Sequence, residues 1–127
     1  MKVLLSIKPE YAYRILAGEK KFEFRRRVHR NPRVRTVLIY ATKPVGKVVG
    51  EFSIREIHSD HPSGLWEKTK DFAGISHGFF SEYFQGRTVG HAIEVKKVRK
   101  YRNPKDLSEF LESGVAPQSY AYVEKQK

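Results

Sequence analysis

The 127-residue chain contains no cysteine, which rules out disulfides, zinc ribbons and thiol nucleophiles in one step. It has one methionine and one tryptophan. It has no apolar run long enough for a membrane span, and the N-terminal stretch Met-Lys-Val-Leu-Leu-Ser-Ile-Lys-Pro is too short in its apolar part for a signal peptide. No membrane partner is expected, and a cytoplasmic protein is the default reading. Acid is also scarce. Fourteen Asp and Glu stand against 25 Lys and Arg, for a formal net charge of +11. Walker-type loops, dinucleotide fingerprints and nucleophile elbows are missing, so neither a cofactor nor a nucleotide-triphosphate chemistry is indicated.

What is present is basic charge in blocks. Lys20, Lys21, Arg25, Arg26, Arg27, Arg30, Arg33 and Arg35 share one stretch with a single acid, Glu23, and Lys96, Lys97, Arg99, Lys100, Arg102 and Lys105 share another with none. A merely soluble surface intersperses both signs. Clustering of this kind suits contact with phosphates, and so a nucleic-acid partner. Eight Phe and seven Tyr supply rigid pieces for a core and candidate stacking surfaces.

At this length one domain is expected, spanning 1–127, with a core at about 2–100 and a C-terminal helix and tail at about 103–127. Alternation predicts strands at 2–8 and 20–26, an apolar run predicts a central strand at 34–42, and longer strands are predicted at 47–58 and 87–101. Pro9 and Gly18 bracket a helix at 9–17. Ser63 is read as the cap of a short helix carrying Leu65 and Trp66, and Ser76 as the cap of another carrying Phe79, Phe80, Tyr83 and Phe84 up to Gly86. All four aromatics are assigned to the core. Asn103-Pro104 is expected to open a last helix to about Glu112, the basic connection around Asn31-Pro32 to be a surface loop, and Gly50 to mark a bulge. Strands outnumber helices, and the fold class expected is α+β: a small β-barrel with short helices closing its ends.

The stretch Gly18-Glu19-Lys20-Lys21-Phe22-Glu23-Phe24-Arg25 carries the densest chemistry. A helix ends and a strand begins at once, setting Lys20 at the corner and Glu23 and Arg25 on one strand face. From spacing alone this is either a surface ion-pair cluster or a site. In a cleft, Lys20 can bind phosphate or lose its proton, and Glu23 can accept from a base edge or act as a general base. His58-Ser59-Asp60-His61 gathers possible ligands but lacks a distant fourth, and no metal site is assigned. Trp66 is a candidate for stacking on a base.

Gly18, Lys20, Glu23 and Arg25, with the opening Ser6-Ile7-Lys8-Pro9, resemble the signature of the ASCH domain family, of the PUA-like superfamily. The likeness extends to Tyr40-Ala41-Thr42-Lys43-Pro44, Val49-Gly50-Glu51, the aromatic helix before Gly86, His91-Ala92-Ile93-Glu94-Val95 and Ala116-Pro117-Gln118-Ser119-Tyr120. The basic insertion at 28–35 has no counterpart in the pattern. The resemblance implies a PUA-like pseudobarrel with a cleft beside the first helix, and association with RNA or modified bases. It also implies two enzyme alternatives in the same cleft, a nucleoside amidohydrolase and a metal-assisted ribonuclease. In the amidohydrolase-like branch a threonine stands three residues after the lysine; here that position is Glu23, which weakens that alternative.

The expectation is therefore an RNA-binding domain, with single-stranded or looped RNA favoured and a DNA-associated regulator as a further alternative. The candidate nucleic-acid-binding residues are Lys8, Lys20, Glu23, Arg25, Arg26, Arg27, Arg30, Trp66, Lys96 and Lys97. Lys20 and Glu23 are the catalytic candidates if the domain is an enzyme.

Overall fold

In a computed structural model, which describes residues 1–124, six strands form one sheet in the order β2-β5-β4-β3-β1-β6. In chain order these are β1 (Lys2–Ile7), β2 (Phe22–Arg25), β3 (Thr36–Ala41), β4 (Lys47–Asp60), β5 (Gly90–Lys105) and β6 (Tyr120–Val123). Three short helices accompany them: α1 (Pro9–Leu16), α2 (Pro62–Thr69) and α3 (His77–Tyr83). β1 and β3 run parallel, and all other neighbours are antiparallel. The expected α+β pseudobarrel is the fold observed.

The sheet buries both faces where the sequence is continuously apolar. Val37 and Ile39 of β3 enter one cluster with Val3, Leu5, Ile7 and Ile15, and Leu38 and Tyr40 enter another with Leu4, Tyr101 and Leu107. A third cluster joins Phe24 and Ala92 to Leu65, Phe80 and Phe84, fastening α2 and α3 onto β2 and β5. β4 kinks at the expected glycine. The register shifts between Val48 and Gly50, and a Cβ there would lie 2.6 Å from the Arg99 carbonyl oxygen, closer than any side chain allows.

Four expectations are corrected. The last helix is not formed: β5 runs on through Asn103 and Pro104 to Lys105, and only a 3-10 turn, Leu107–Glu109, follows. Asn-Pro imitates a helix start, but this part of β5 has passed beyond β2 and pairs with β4 alone, so a proline in it is tolerated as on any edge. Instead of a detached tail, the C-terminal segment supplies β6, antiparallel to β1; the end of that expected tail, 125–127, lies outside the described residues. The helix at Leu65 is capped by His61 rather than Ser63, because Pro62 takes the first helical position and the His61 ring accepts from the Ser63 N–H. The basic loop is not wholly at the surface. Its arginines point outward while His29 and Val34 are buried and Val28 packs on the core.

Two edges of the sheet, β2 and β6, have no backbone partner across the gap between them. Arg25 bridges that seam. Its guanidinium donates to the Ser6 carbonyl of β1 at 3.2 Å and to the Ser119 carbonyl, just before β6, at 2.6 Å. The Ser6 hydroxyl adds a bond to the Pro117 carbonyl at 2.9 Å.

Candidate nucleotide-binding cleft

The cleft grows out of the α1–β2 corner. α1 ends through Gly18, whose φ of +81° only glycine adopts without cost, and the amides of both Glu19 and Lys20 return to the Arg14 carbonyl. The chain turns into β2 with Lys20 aimed inward. β2 then alternates. Phe24 faces the helices, and Glu23, paired opposite the core residue Ile93, is carried inside with 6% exposure.

Lys20 is more deeply buried than its corner position suggests, at 2% exposure. Its amine donates to the Ala73 carbonyl at 2.7 Å and lies 4.7 Å from the Phe24 ring centre and 5.7 Å from that of Tyr11. The turn that covers it is built for the purpose. Gly74 has φ +69°, and a Cβ there would stand 2.4 Å from Lys20 Cγ; Arg14 fixes the same turn by donating to the Gly74 carbonyl at 2.8 Å. Burial lowers the Lys20 pKa to about 8, against a smaller opposing pull from Glu23. Glu23 also pairs with Arg25 at 3.3 Å. Arg25 is therefore committed to a carboxylate and two carbonyls, and acts as a positioning group and seam rather than a free cation.

Around this group lies a cleft of about 180 Å³, lined by Lys8, Lys20, Glu23 and Arg25 together with the rings of Tyr11, Phe79 and Tyr83. The volume suits one planar ring system rather than a drug-sized ligand, for which pockets of ~300–1,000 Å³ are usual. Its mouth is cationic: the Lys8 amine lies 5.2 Å from the Phe79 ring centre. One concavity adjoins it through Arg25 and Tyr83, and a second adjoins the first through Arg26, Arg27 and Ser119. The first, of about 180 Å³, touches Arg25, Arg26, Arg27, Tyr83 and Arg87; the second and broader one, of about 740 Å³, touches Arg26, Arg27, Arg30 and His91.

Four of the sequence-predicted residues thus meet in the cleft, Arg26 and Arg27 line the hollow beside it, and Arg30 lines the groove beyond. Three do not join. Trp66 lies on Phe80 and stacks on His77 at 4.7 Å, lining a separate hollow with His61 and Arg87. Lys96 and Lys97 are exposed on β5, and Lys97, six residues past His91, is ~20 Å from it along an extended strand. The sequence reading missed Tyr11, Phe79, Tyr83, Ile75 and Arg87. Helical spacing assigns Phe79 and Tyr83 to the core because it shows that a face is apolar without showing what it faces. In the structure Phe80 and Phe84 fill the core, Phe79 turns to the cleft, and Tyr83 does both, packing on the Phe84 ring at 4.8 Å while it lines the cleft. The Phe79 and Tyr83 rings lie 6.4 Å apart, stacked.

The His58–His61 tetrad does not converge either. His58 pairs with Glu94 at 2.7 Å and approaches Glu56 at 3.7 Å, and donor atoms of these three lie within 4.8 Å of one another. That cluster is the one place among the described residues where three such ligands gather. Arg55, 3.4 Å from Glu94, competes for it.

The ASCH domain family model matches residues 5–125. Over 128 residues the chain is 29% identical to a Zymomonas mobilis protein named ASCH domain-containing ribonuclease, covering 99% of this chain and 86% of that one. A crystal structure of ASCH from Zymomonas mobilis superposes with a TM-score of 0.90 at 28% identity, covering 98% of this chain and 88% of that one. Parts of two Ureaplasma parvum proteins match as well. Large ribosomal subunit protein uL22 is 42% identical over 78 residues (61% of this chain, 25% of that protein), and ATP synthase subunit alpha is 34% identical over 122 residues (95% and 15%). The present chain thus spans a quarter or less of those two proteins. No helix among the described residues is long and apolar enough to cross a membrane. With its motif, its pseudobarrel and the family match in agreement over nearly its whole length, this chain belongs to the ASCH domain family.

Proposed function

We propose that this chain binds single-stranded or looped RNA and receives one base in the cleft beside Lys20, Glu23 and Arg25. The observation that carries this reading is a buried carboxylate acceptor, Glu23, held rigid by Arg25 in a one-ring cleft with aromatic walls, opening onto an arginine-rich surface. A fixed acceptor reads an exocyclic amine on a base edge, aromatic walls take its faces, and the arginines take the backbone. RNA is favoured over DNA by the Zymomonas mobilis relative named a ribonuclease.

The test is a titration at fixed salt with short oligoribonucleotides differing at one position, and with their deoxy counterparts. The parent should prefer RNA and discriminate among bases. Glu23→Gln should keep or tighten non-specific binding, because it removes a negative charge, and lose most of the discrimination, worth about 1–3 kcal/mol for a good base-reading contact. Full discrimination retained in the variant would make Glu23 structural.

A second reading, RNA cleavage in the same cleft, is favoured by Lys20. With a pKa of about 8 it is substantially neutral at mildly alkaline pH, and a neutral amine can take the proton of a 2′-hydroxyl as its oxygen attacks the neighbouring phosphorus. The P–O5′ bond breaks, the departing 5′-oxygen takes a proton from water, and a 2′,3′-cyclic phosphate is left. Cleavage should then rise through pH 8 and vanish in Lys20→Met. Incubation of RNA with and without a divalent metal, followed by analysis of product ends, decides it.

A further inference from the structure

The concavity beside the cleft differs from it in kind. Arg25, Arg26, Arg27 and Arg87 surround about 180 Å³ of space with Tyr83 and Ser119, and no carboxylate lines it. Arg25 is committed elsewhere, and Arg26 spends one donor on the Tyr83 carbonyl at 2.8 Å while lying over the Tyr83 ring at 4.3 Å. The side chains of Arg27 and Arg87 are exposed and make no hydrogen bond or ion pair with any described residue, while the Arg87 amide is fixed by donating to the Phe84 carbonyl at 2.9 Å. Guanidinium groups facing one small space repel each other, and elsewhere on this chain cations such as Lys68 and Lys70 have acidic partners. An arrangement of this kind is relieved by an anion that several planar forks grip together, which is the geometry of arginine on phosphate.

The position of Tyr83 links the two spaces. It lines both, with its hydroxyl accepting from the Arg26 amide at 3.2 Å and its own proton left to donate. A ligand filling both would set a ring on one side of Tyr83 and an anion on the other, which is the form of a nucleotide. We propose that Arg26, Arg27 and Arg87 hold the phosphate attached to the nucleotide whose base occupies the cleft, so that the protein accepts nucleotides in an RNA chain and discriminates against free nucleosides. This rests on the reading that the cleft takes a base. The broader groove beyond, with Arg27, Arg30 and His91, continues the same path for the next phosphates. Arg87 had no role in the basic blocks of the sequence. It stands alone just after the helix-ending Gly86, and only the fold brings it to Arg26 and Arg27.

The experiment is calorimetric titration of the intact chain with nucleosides, their 3′- and 5′-monophosphates, inorganic phosphate alone, and a short single-stranded oligoribonucleotide. Monophosphates should bind at least about tenfold tighter than nucleosides, the return expected of one charge-assisted contact, and tighter than inorganic phosphate. Arg27→Ala and Arg87→Ala should each remove most of that advantage while leaving nucleoside binding in place. Lys70→Ala, which deletes an equal charge on the far end of α2, should leave it unchanged; circular dichroism verifies the fold of each variant. Equal affinity for nucleoside and monophosphate overturns the proposal, as does a loss in Arg87→Ala no larger than in Lys70→Ala. Inorganic phosphate binding as tightly as the monophosphates would make the hollow a general anion site and break its link to the cleft. If the oligonucleotide still binds in those cases, RNA binding stands and only the phosphate seat falls; if the oligonucleotide does not bind, both fall.

Discussion

Replacing Lys20 with methionine separates the cost of its buried charge from the value of its packing. The hydrocarbon part, enclosed by Tyr11, Phe24 and the Gly74 turn, is kept; the amine is lost. A lysine whose ordinary pKa of 10.5 falls to about 8 on folding carries a penalty of about 3 kcal/mol for holding its proton in the folded state. At pH 7 both folded and unfolded chains are protonated there, so that penalty is fully present. Between pH 8 and 10.5 the unfolded chain keeps the proton that the folded chain has lost, and stability rises with pH. Lys20→Met deletes this dependence. It also leaves the Ala73 carbonyl without its donor, at a cost of about 1–3 kcal/mol, so the two proteins should be of similar stability at pH 7. The difference should then open in favour of the parent by about 3 kcal/mol as pH is raised to 10.5. Urea unfolding of both at intervals across this range measures it, because titrations common to both cancel. A difference that stays constant with pH would show that Lys20 keeps an ordinary proton affinity and is not desolvated.

Gly74→Ala should destabilise the fold by roughly 3 kcal/mol, combining a left-handed backbone with a Cβ pressed on Lys20, and should raise the Lys20 pKa if the turn is pushed open; denaturation and the same pH series check both. His29 is buried with no hydrogen-bond partner for Nδ1 among the described residues, and burial lowers its pKa. Since the unfolded chain takes up that proton first, stability should fall as pH drops below about 6.5, and His29→Phe, placed against Tyr120, should lose less of its urea midpoint between pH 7 and 5 than the parent does.

The sheet was legible wherever a pattern was long. The alternation of β1 and β4 and the apolar run of β3 each read directly as strand. β6 was not, because Tyr-Ala-Tyr-Val is too short to establish a period and its place beside β1 depends on a partner more than a hundred residues away. The expected last helix failed for a related reason: Asn103-Pro104 is a local start signal, and the pairing of Lys105 with Val48 overrode it. In the site, the Gly18 corner could be read because a helix cap and a strand start fix the directions of Lys20, Glu23 and Arg25. Its walls could not. Tyr11, Phe79, Tyr83 and Ile75 come from α1, α3 and the turn before α3, and which of two apolar helix faces meets the core is decided by packing. Nor did the sequence show that Arg25 spends its donors on the carbonyls of Ser6 and Ser119, since that bond closes a seam between distant strands.

Salt dependence of RNA affinity tests the central claim most directly. For a single strand, log K should fall against log salt with a slope of about −0.7 for each phosphate held. With two or three phosphates seated along Arg26, Arg27, Arg30 and Arg87, the parent should give a slope between about −1.4 and −2.1, and joint reversal of Arg26, Arg27 and Arg30 to glutamate should flatten it and weaken all sequences alike. A slope near zero in the unmutated protein would contradict the account.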